Sequence, residues 1–196
     1  MTDKQEIIRE ILDYELEMFL KVKSRGKAAC QDNPDGFRFY RGAMFSVWSI
    51  KALESYREDV QRAQKEGKNL LTLKYARMEN LIPILNDNIL IDKIVDIEIG
   101  WVKEIATKYP HVHSKGKPIE EDTSQATSTR TYLRGELETY SDKTLELYYH
   151  NMLESRERGE NLSEKICAMM VEGAGFATLQ ATEKNLSQRY HQHQGQ

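Results

Sequence analysis

The first 23 residues place their apolar side chains on one face of a helix, with polar side chains on the other faces. This pattern predicts a helix from Thr2 or Asp3 to Lys23. Glu15 falls on the apolar face, where a carboxylate must be paired, hydrogen-bonded or neutralised, because burying a bare charge is very costly. The apolar face consists of Ile8, Ile11, Leu12, Phe19 and Val22.

The same pattern returns 83 residues later and predicts a second such helix over about 88–108. This helix again carries one glutamate, Glu98, on its apolar face. Two inward glutamates at equivalent positions indicate a shared structural or chemical requirement. The matching positions are Ile8, Ile11 and Glu15 in the first helix and Ile91, Ile94 and Glu98 in the second.

A second repeat has an offset of 92 residues, and it relates the segments 49–70 and 141–162. Each segment begins with a serine suited to cap a helix and contains a glycine suited to end it. An asparagine follows each glycine and is a candidate cap for the next helix. The last helix is expected to begin at a cap formed by Asn161 or Ser163 and to run to about Leu186. The identical positions are Ser49, Lys51, Leu53, Glu54, Tyr56, Gly67, Asn69 and Leu70, which recur as Ser141, Lys143, Leu145, Glu146, Tyr148, Gly159, Asn161 and Leu162.

Together the repeats predict an all-α fold, an internally duplicated helical bundle whose two halves are related by a pseudo-twofold axis. The first repeat is expected over 1–87 and the second over 88–187, packed together as one domain and followed by a polar, frayed tail over 188–196. About 20 residues, 109–128, separate two predicted helices of the second half, and a loop of that length is more often functional than idle. Glu15 and Glu98 are expected to approach one another near the axis.

Composition and charge exclude several classes of protein. The chain has 196 residues and a net charge of −3, which leaves nucleic acid no electrostatic reason to bind. No apolar run is long enough to span a membrane, and the N-terminus lacks a signal-peptide pattern. Two cysteines, Cys30 and Cys167, do not make a disulfide framework, so a cytoplasmic location is expected.

The candidate catalytic residues are Glu15, Glu98 and Cys30. Two close carboxylates split their pKa values, which suits acid and base chemistry. The structural alternative is that each glutamate pairs with a buried arginine, such as Arg41, Arg77 or Arg134, and only joins the halves. Cys30 lies in a loop and needs a base or a positive field brought by folding to become a nucleophile.

Arginine and tyrosine side chains complete the expected pocket, since guanidinium groups bind carboxylate or phosphate through two hydrogen bonds. No metal site is predicted, because the Glu-x-x-His pairs of dimetal bundles are missing from the sequence, and no cofactor is identified. If a metal did bind, carboxylate ligands would favour a hard cation. The candidate ligand-binding residues are Gln31, Asp32, Arg77, Asp122, Thr123, Tyr132, Arg134 and Glu136.

Nearly the whole chain resembles a bacterial family known only as domain-of-unknown-function family 4125. The resemblance implies a compact, cytoplasmic, helical protein of unassigned activity, and it supplies no mechanism. The segments that carry it are Cys30-Gln31-Asp32, Leu53-Glu54-Ser55-Tyr56, Asn69-Leu70, Lys74-Tyr75-Ala76-Arg77-Met78, Tyr109-Pro110, Glu121-Asp122-Thr123, Thr131-Tyr132-Leu133-Arg134-Gly135-Glu136-Leu137 and Thr139-Tyr140-Ser141.

Two functional hypotheses follow from the sequence. The first is a small enzyme or ligand-binding protein whose pocket lies between the repeats and takes a small polar or anionic molecule. The second is a non-catalytic module for protein–protein interaction. An enzyme should have a closed polar cavity with shifted carboxylates, whereas an interaction module should have paired glutamates and an exposed apolar patch. The sequence is compatible with a monomer or a homodimer.

Overall fold

The computed structural model describes residues 2–22, 32–114 and 116–194, and over these residues the chain is all-helical, as predicted. Among the described residues, no helix combines the length and apolar character needed to cross a lipid bilayer. The helices are α1 (Asp3–Leu20), α2 (Pro34–Ser46), α3 (Ile50–Lys65), α4 (Leu70–Met78), α5 (Leu90–Lys108), α6 (Pro110–His113), α7 (Thr129–Leu137), α8 (Asp142–Glu157), α9 (Leu162–Gly173) and α10 (Leu179–Gln194).

Serine and asparagine caps begin several helices where the sequence predicted them. The side chain of Ser49 accepts a hydrogen bond from a backbone amide in the first turn of α3, and Asn69 does the same for α4. Such caps satisfy amides that have no partner within the helix. Gly67 lies between the two helices at a φ of 68°, a left-handed conformation in which glycine is favoured. These local signals therefore set the helix boundaries.

The C-terminal region differs from the prediction of one helix to about Leu186 and a frayed tail from 188. The predicted helix is divided into α9 and α10. Gly175 has a φ of 88°, and the amide of Phe176 donates to the carbonyl of Val171 at 3.1 Å, which closes α9 with a Schellman motif. Leu179, at the start of α10, is buried in a small cluster with Val171. Packing therefore anchors the start of α10, which extends to Gln194.

Glu183 fastens α10 to the segment that follows α5. Its carboxylate accepts the backbone amides of His111 at 3.0 Å and Val112 at 2.9 Å, and it lies 2.5 Å from Nδ1 of His111. The carboxylate thus satisfies two amides at the beginning of α6. The long predicted loop contains this short helix because an acid distant in sequence supplies its hydrogen bonds.

The main core lies between α1, α3, α5 and α8 and contains a cluster of aromatic rings. Trp48 is stacked on Tyr148 with ring centroids 4.2 Å apart, and Tyr56 lies 4.7 Å from Tyr140. Helices α3 and α8 meet through buried hydroxyls, with Ser55 Oγ 2.8 Å from Thr144 Oγ1. This cluster links the side chains that bond Glu15 to those that bond Glu98.

Helices α4 and α7 approach closely at Gly135, and a larger side chain there is expected to destabilise the fold. A Cβ atom at Gly135 would lie 2.8 Å from Cγ of Met78 and 3.1 Å from the carbonyl oxygen of Lys74. We expect Gly135→Val to lower the free energy of unfolding by about 1–3 kcal/mol, because overpacking forces the helices apart. Denaturant titration measures this change.

The matched control is Gly100→Val, in the exposed face of α5, where a Cβ atom would meet nothing within 4 Å. We expect this control to change stability by less than about 0.5 kcal/mol. Equal effects at the two glycines would contradict the close approach of α4 and α7.

Candidate functional site

A cavity of about 440 Å³ lies between α2, α5, α7, α8 and α9, with part of the α6–α7 connection at its rim. Its volume is in the range of small-molecule sites in proteins. Most of its wall is aliphatic or aromatic, including Met44, Trp48, Ile94, Leu133 and Ile166. The cavity is therefore mainly apolar, in contrast to the polar pocket expected from the sequence.

Glu98 lies in the cavity wall, and only 8% of its surface is exposed. It comes from the apolar face of α5, as the helical spacing predicted. The hydroxyl of Tyr148 donates to Oε1 at 2.6 Å, and that of Ser163 donates to Oε2 at 2.7 Å. Within residues 2–22, 32–114 and 116–194, no lysine, arginine or histidine pairs with this carboxyl group.

Burial raises the pKa of Glu98, because removing the carboxylate from water penalises its charged form. The hydrogen bonds from Ser163 and Tyr148 oppose this shift, and the negative charge of Glu136 adds to it. A carboxyl group in this setting holds a proton more readily than one in water. It can therefore donate a hydrogen bond, accept one, or take up a counter-charge that enters the cavity.

Glu15 has a different environment, although it occupies the matching face of α1. It is fully buried and accepts two hydrogen bonds from the guanidinium of Arg41, at 2.7 and 2.5 Å. The hydroxyl of Tyr56 donates a third at 2.7 Å. Arg41 is the partner that the structural alternative named for this glutamate. Glu15 is absent from the lining of the cavity and is held in a complete ion pair.

A second acid, Glu136 of α7, extends this ion pair into a buried network at the edge of the cavity. Its Oε1 accepts from Arg41 at 2.6 Å and from Tyr140 at 2.8 Å, while its Oε2 accepts from Lys74 at 2.6 Å. Arg41 and Lys74 are each only 2% exposed. Two carboxylates and two cations are therefore balanced within the core, as buried charges require. We call these four residues, Glu15, Arg41, Glu136 and Lys74, the charge network.

The pKa of Glu136 reflects that balance. Burial alone would raise it, but the positive charges of Arg41 and Lys74, together with hydrogen bonds from Lys74 and Tyr140, hold the pKa well below its ordinary value of 4.5. Burial and the charge of Glu136 keep the pKa of Tyr140 well above 10.0. Glu136 is thus a firmly ionised acid, whereas burial makes Glu98, across the same cavity, harder to ionise.

Tyr132 forms part of the cavity wall next to the charge network. The Lys74 ammonium lies 3.5 Å from the centroid of its ring, a cation–π contact. The Lys117 ammonium lies 5.3 Å from the same centroid, at the exposed rim of the cavity. The structure therefore brings together three of the residues nominated from the sequence, Glu98, Tyr132 and Glu136.

Two arginines expected to clamp an anionic ligand lie away from the cavity. Arg77 donates to both carboxylate oxygens of Glu138, at 2.6 and 3.2 Å, and to the carbonyl of Ile82. Arg134 is ion-paired with Asp92 at the surface. Both guanidinium groups are occupied by acids of the chain itself, and neither appears in the cavity wall.

Three nominated loop residues, Asp32, Asp122 and Thr123, are also absent from the cavity wall. Asp122 is exposed and accepts the amide of Ser128 at 2.7 Å, which lowers its pKa, and Thr123 caps the turn to Ala126. Both stabilise the entry to α7. Asp32 is exposed just before α2. Cys30 and Gln31 lie outside the described residues.

Sequence reasoning missed four side chains of the site, Lys74, Tyr140, Tyr148 and Ser163. Tyr148 had a usable signal, because it lies 92 positions after Tyr56 in a matching sequence segment. Tyr56 bonds Glu15, and Tyr148 bonds Glu98. Lys74 lies one turn after Leu70 and Leu71 on the apolar face of its helix, which is a second signal of a buried charge. In the described part of the chain, no group of three or more His, Cys, Asp or Glu side chains is arranged to hold a metal ion.

Comparison with known proteins gives one match. The model of a family described as a protein of unknown function, DUF4125, matches residues 5–184. Neither a curated protein sequence nor a solved structure matches the chain significantly.

Proposed function

The chain belongs to the DUF4125 family of proteins of unknown function, and we propose that it binds a small, largely apolar molecule in the cavity beside Glu98. The observation that carries this proposal is a cavity of about 440 Å³ whose wall contains a buried carboxyl group with hydroxyl partners only. An apolar side chain at position 98 would fill the same space at a lower desolvation cost. A ligand that forms a hydrogen bond with the carboxyl group explains why position 98 has a glutamate and not an apolar residue.

The wall of the cavity supports an apolar ligand over the anionic molecule first considered. Aromatic and aliphatic side chains dominate the wall. Arg41 and Arg77 form ion pairs with buried acids of the chain itself, Glu15 and Glu138. An anion seated here would also face the negative charge of Glu136. Ligand sites of this size are commonly apolar, with a few polar groups that fix orientation.

We also propose that the two halves of the chain are repeats of one helical unit. Two pairs of contacts support it, since Tyr56 bonds Glu15 as Tyr148 bonds Glu98. Likewise the Asn69 amide donates to the carbonyl of Met18 at 2.7 Å, and the Asn161 amide donates to that of Trp101 at 3.1 Å. The partners in each pair are related by the offsets of 83 and 92 residues. The cavity then lies mainly within the second half, where none of the arginines that the structure describes reaches the inward glutamate.

A second candidate function is the protein-interaction module. One observation favours it, an exposed run of apolar side chains between α4 and α5 that comprises Leu81, Ile84, Leu85 and Ile89. Exposed apolar patches of this kind are typical of interaction surfaces. A ligand that fills the cavity distinguishes the two functions, because the exposed run lies outside the cavity wall.

The proposed function is tested by a fragment screen with a thermal-shift readout on wild type and a cavity-filling variant, Ile166→Trp. A ligand at 100 times its Kd adds about 2.7 kcal/mol to stability, or roughly 5–10 °C in Tm for a chain of this length. We expect fragments that stabilise wild type to lose this effect in Ile166→Trp. They should keep it in the control Ile50→Trp, which changes an exposed residue outside the cavity. Equal shifts in both variants, or no stabilising fragment at all, would overturn the proposal.

The environment of Glu98 predicts a distinctive pH dependence. A raised folded-state pKa means that the stability contributed by this group is present below its ordinary value of 4.5 and is lost as pH rises through the folded pKa. Glu98→Gln removes this loss and leaves hydrogen-bonding atoms for Tyr148 and Ser163. We therefore expect the variant to gain stability relative to wild type as pH increases from 4.5 to neutral, measured by denaturant titration. A constant difference would contradict the assigned environment.

A further inference from the structure

The environment of Glu15 shows which groups can bind a buried carboxylate that already accepts a hydrogen bond from a tyrosine. At Glu15, the Tyr56 hydroxyl donates one hydrogen bond, and the planar guanidinium of Arg41 donates two. The same guanidinium lies over the ring of Phe45, with its central carbon 4.7 Å from the ring centroid. A cation, a carboxylate, a tyrosine hydroxyl and an aromatic face form one complete site.

Glu98 has the same kind of site without the cation. Tyr148 donates to one carboxylate oxygen and Ser163 to the other. Each oxygen of a carboxylate has two lone pairs, so a single hydroxyl on each leaves capacity for further donors. Aromatic rings flank this position, because Tyr148 is stacked on Trp48, and both line the cavity.

The described cations near the cavity have other partners. Arg41 bonds Glu15 and Glu136, and Lys74 bonds Glu136 at 2.6 Å. Lys117 is exposed at the rim, where its ammonium lies near the ring of Tyr132. The two acids and two bases of the charge network already balance one another. Among the acids of the cavity wall in the described part of the chain, Glu98 is the one without a counter-charge.

We infer that the ligand is an organic cation, in which an apolar body fills the cavity and a protonated amine or amidine donates hydrogen bonds to Glu98. This inference rests on the proposed function and specifies its ligand class. A cation supplies the donors that Arg41 supplies at Glu15, and the aromatic wall stabilises it through cation–π contacts. An anion would meet two acids, Glu98 and Glu136, within an apolar wall.

Binding of such a cation also moves a proton. Burial favours the neutral carboxyl group, whereas a bound positive charge favours the carboxylate. At a pH where free Glu98 is partly protonated, binding therefore releases a proton, and the affinity for a cation increases as pH rises through the pKa of Glu98. A residue with a purely structural role produces no such coupling between ligand charge and proton release.

The test is isothermal titration calorimetry with probes matched in shape and different in charge. The cationic probes are benzamidine and phenethylamine, their neutral counterparts are benzamide and phenethyl alcohol, and benzoate is the anionic probe. We expect each cation to bind wild type at least about tenfold more tightly than its neutral counterpart, the usual gain of a charge-assisted hydrogen bond. Titration in two buffers of different ionisation enthalpy, below neutral pH, should reveal proton release.

Two variants locate the effect. Glu98→Gln should abolish both the preference for cations and the proton release. Glu104→Gln removes an exposed carboxylate from the same helix, outside the cavity wall, and should leave both unchanged. Equal loss in the two variants would mean that net charge, rather than the site, attracts the cation.

The outcomes separate this inference from the proposed function. If neutral or anionic probes bind as tightly as the cations, or if the fragments displaced by Ile166→Trp are neutral or anionic, the inference is wrong and the ligand pocket remains. If no probe and no screened fragment binds wild type, both the inference and the proposed function are wrong. Cation binding that persists unchanged in Glu98→Gln also overturns the inference.

Discussion

Arg41→Met is expected to lower the free energy of unfolding by about 3–5 kcal/mol, the usual cost of removing one partner from a buried ion pair. The side chain is 2% exposed and donates to both Glu15 and Glu136. Methionine is similar in length and apolar, so it fills much of the space but leaves Glu15 with only the hydroxyl of Tyr56. Equilibrium unfolding in urea or guanidinium chloride measures the loss.

Arg38→Met provides a matched control on the same helix. Arg38 lies one turn earlier and pairs with Asp13 at 2.6 Å, and the two side chains are 37% and 59% exposed. An exposed ion pair contributes about 0–1 kcal/mol, so this variant should retain nearly all of the stability. If the two arginine variants lose the same amount, the charge network does not hold the helices together as described.

Glu136→Gln is expected to cost a similar amount at neutral pH, about 3–5 kcal/mol, because it leaves Lys74 buried without its carboxylate. The folded-state pKa of Glu136 is lowered, so the stability that it contributes is present above its ordinary value of 4.5 and is lost as pH falls. The difference between variant and wild type should therefore shrink below pH 4.5. Denaturant titrations over a range of pH measure this trend.

A double-mutant cycle with Lys74→Met isolates the contact. The lysine substitution should be much less damaging in the Glu136→Gln background than in wild type, because the buried ammonium has then already lost its partner. Additive effects, or a loss that stays constant with pH, would argue against the ion pair. Lys74→Met also removes the cation over the ring of Tyr132, so the cycle includes that contact.

The two acids of the cavity wall are thus expected to respond to pH in opposite directions. As pH rises from acid to neutral, Glu98→Gln gains stability relative to wild type, whereas Glu136→Gln loses it. Both residues are buried glutamates from helices that face one cavity. Their difference arises from Arg41 and Lys74, which compensate the charge of Glu136 and do not contact Glu98.

The burial of Glu15 and Glu98 was predictable, because helical spacing alone places each on an apolar face. The identity of their partners was not. The sequence offered Arg41, Arg77 and Arg134 as equivalent candidates, and periodicity cannot rank them. Packing brings Arg41 to Glu15, whereas Arg77 pairs with Glu138 and Arg134 pairs with Asp92.

The sequence by itself determined the all-helical fold, the helix starts at serine and asparagine caps, and the inward position of two glutamates. These features depend on contacts between residues a few positions apart, so a local pattern records them. Only the tertiary structure decided which glutamate has a cation and which faces a mainly apolar cavity. Arg41 and Glu136 lie 95 positions apart, and Glu98 and Ser163 lie 65 apart. Such pairs meet only through helix packing, which no local spacing encodes.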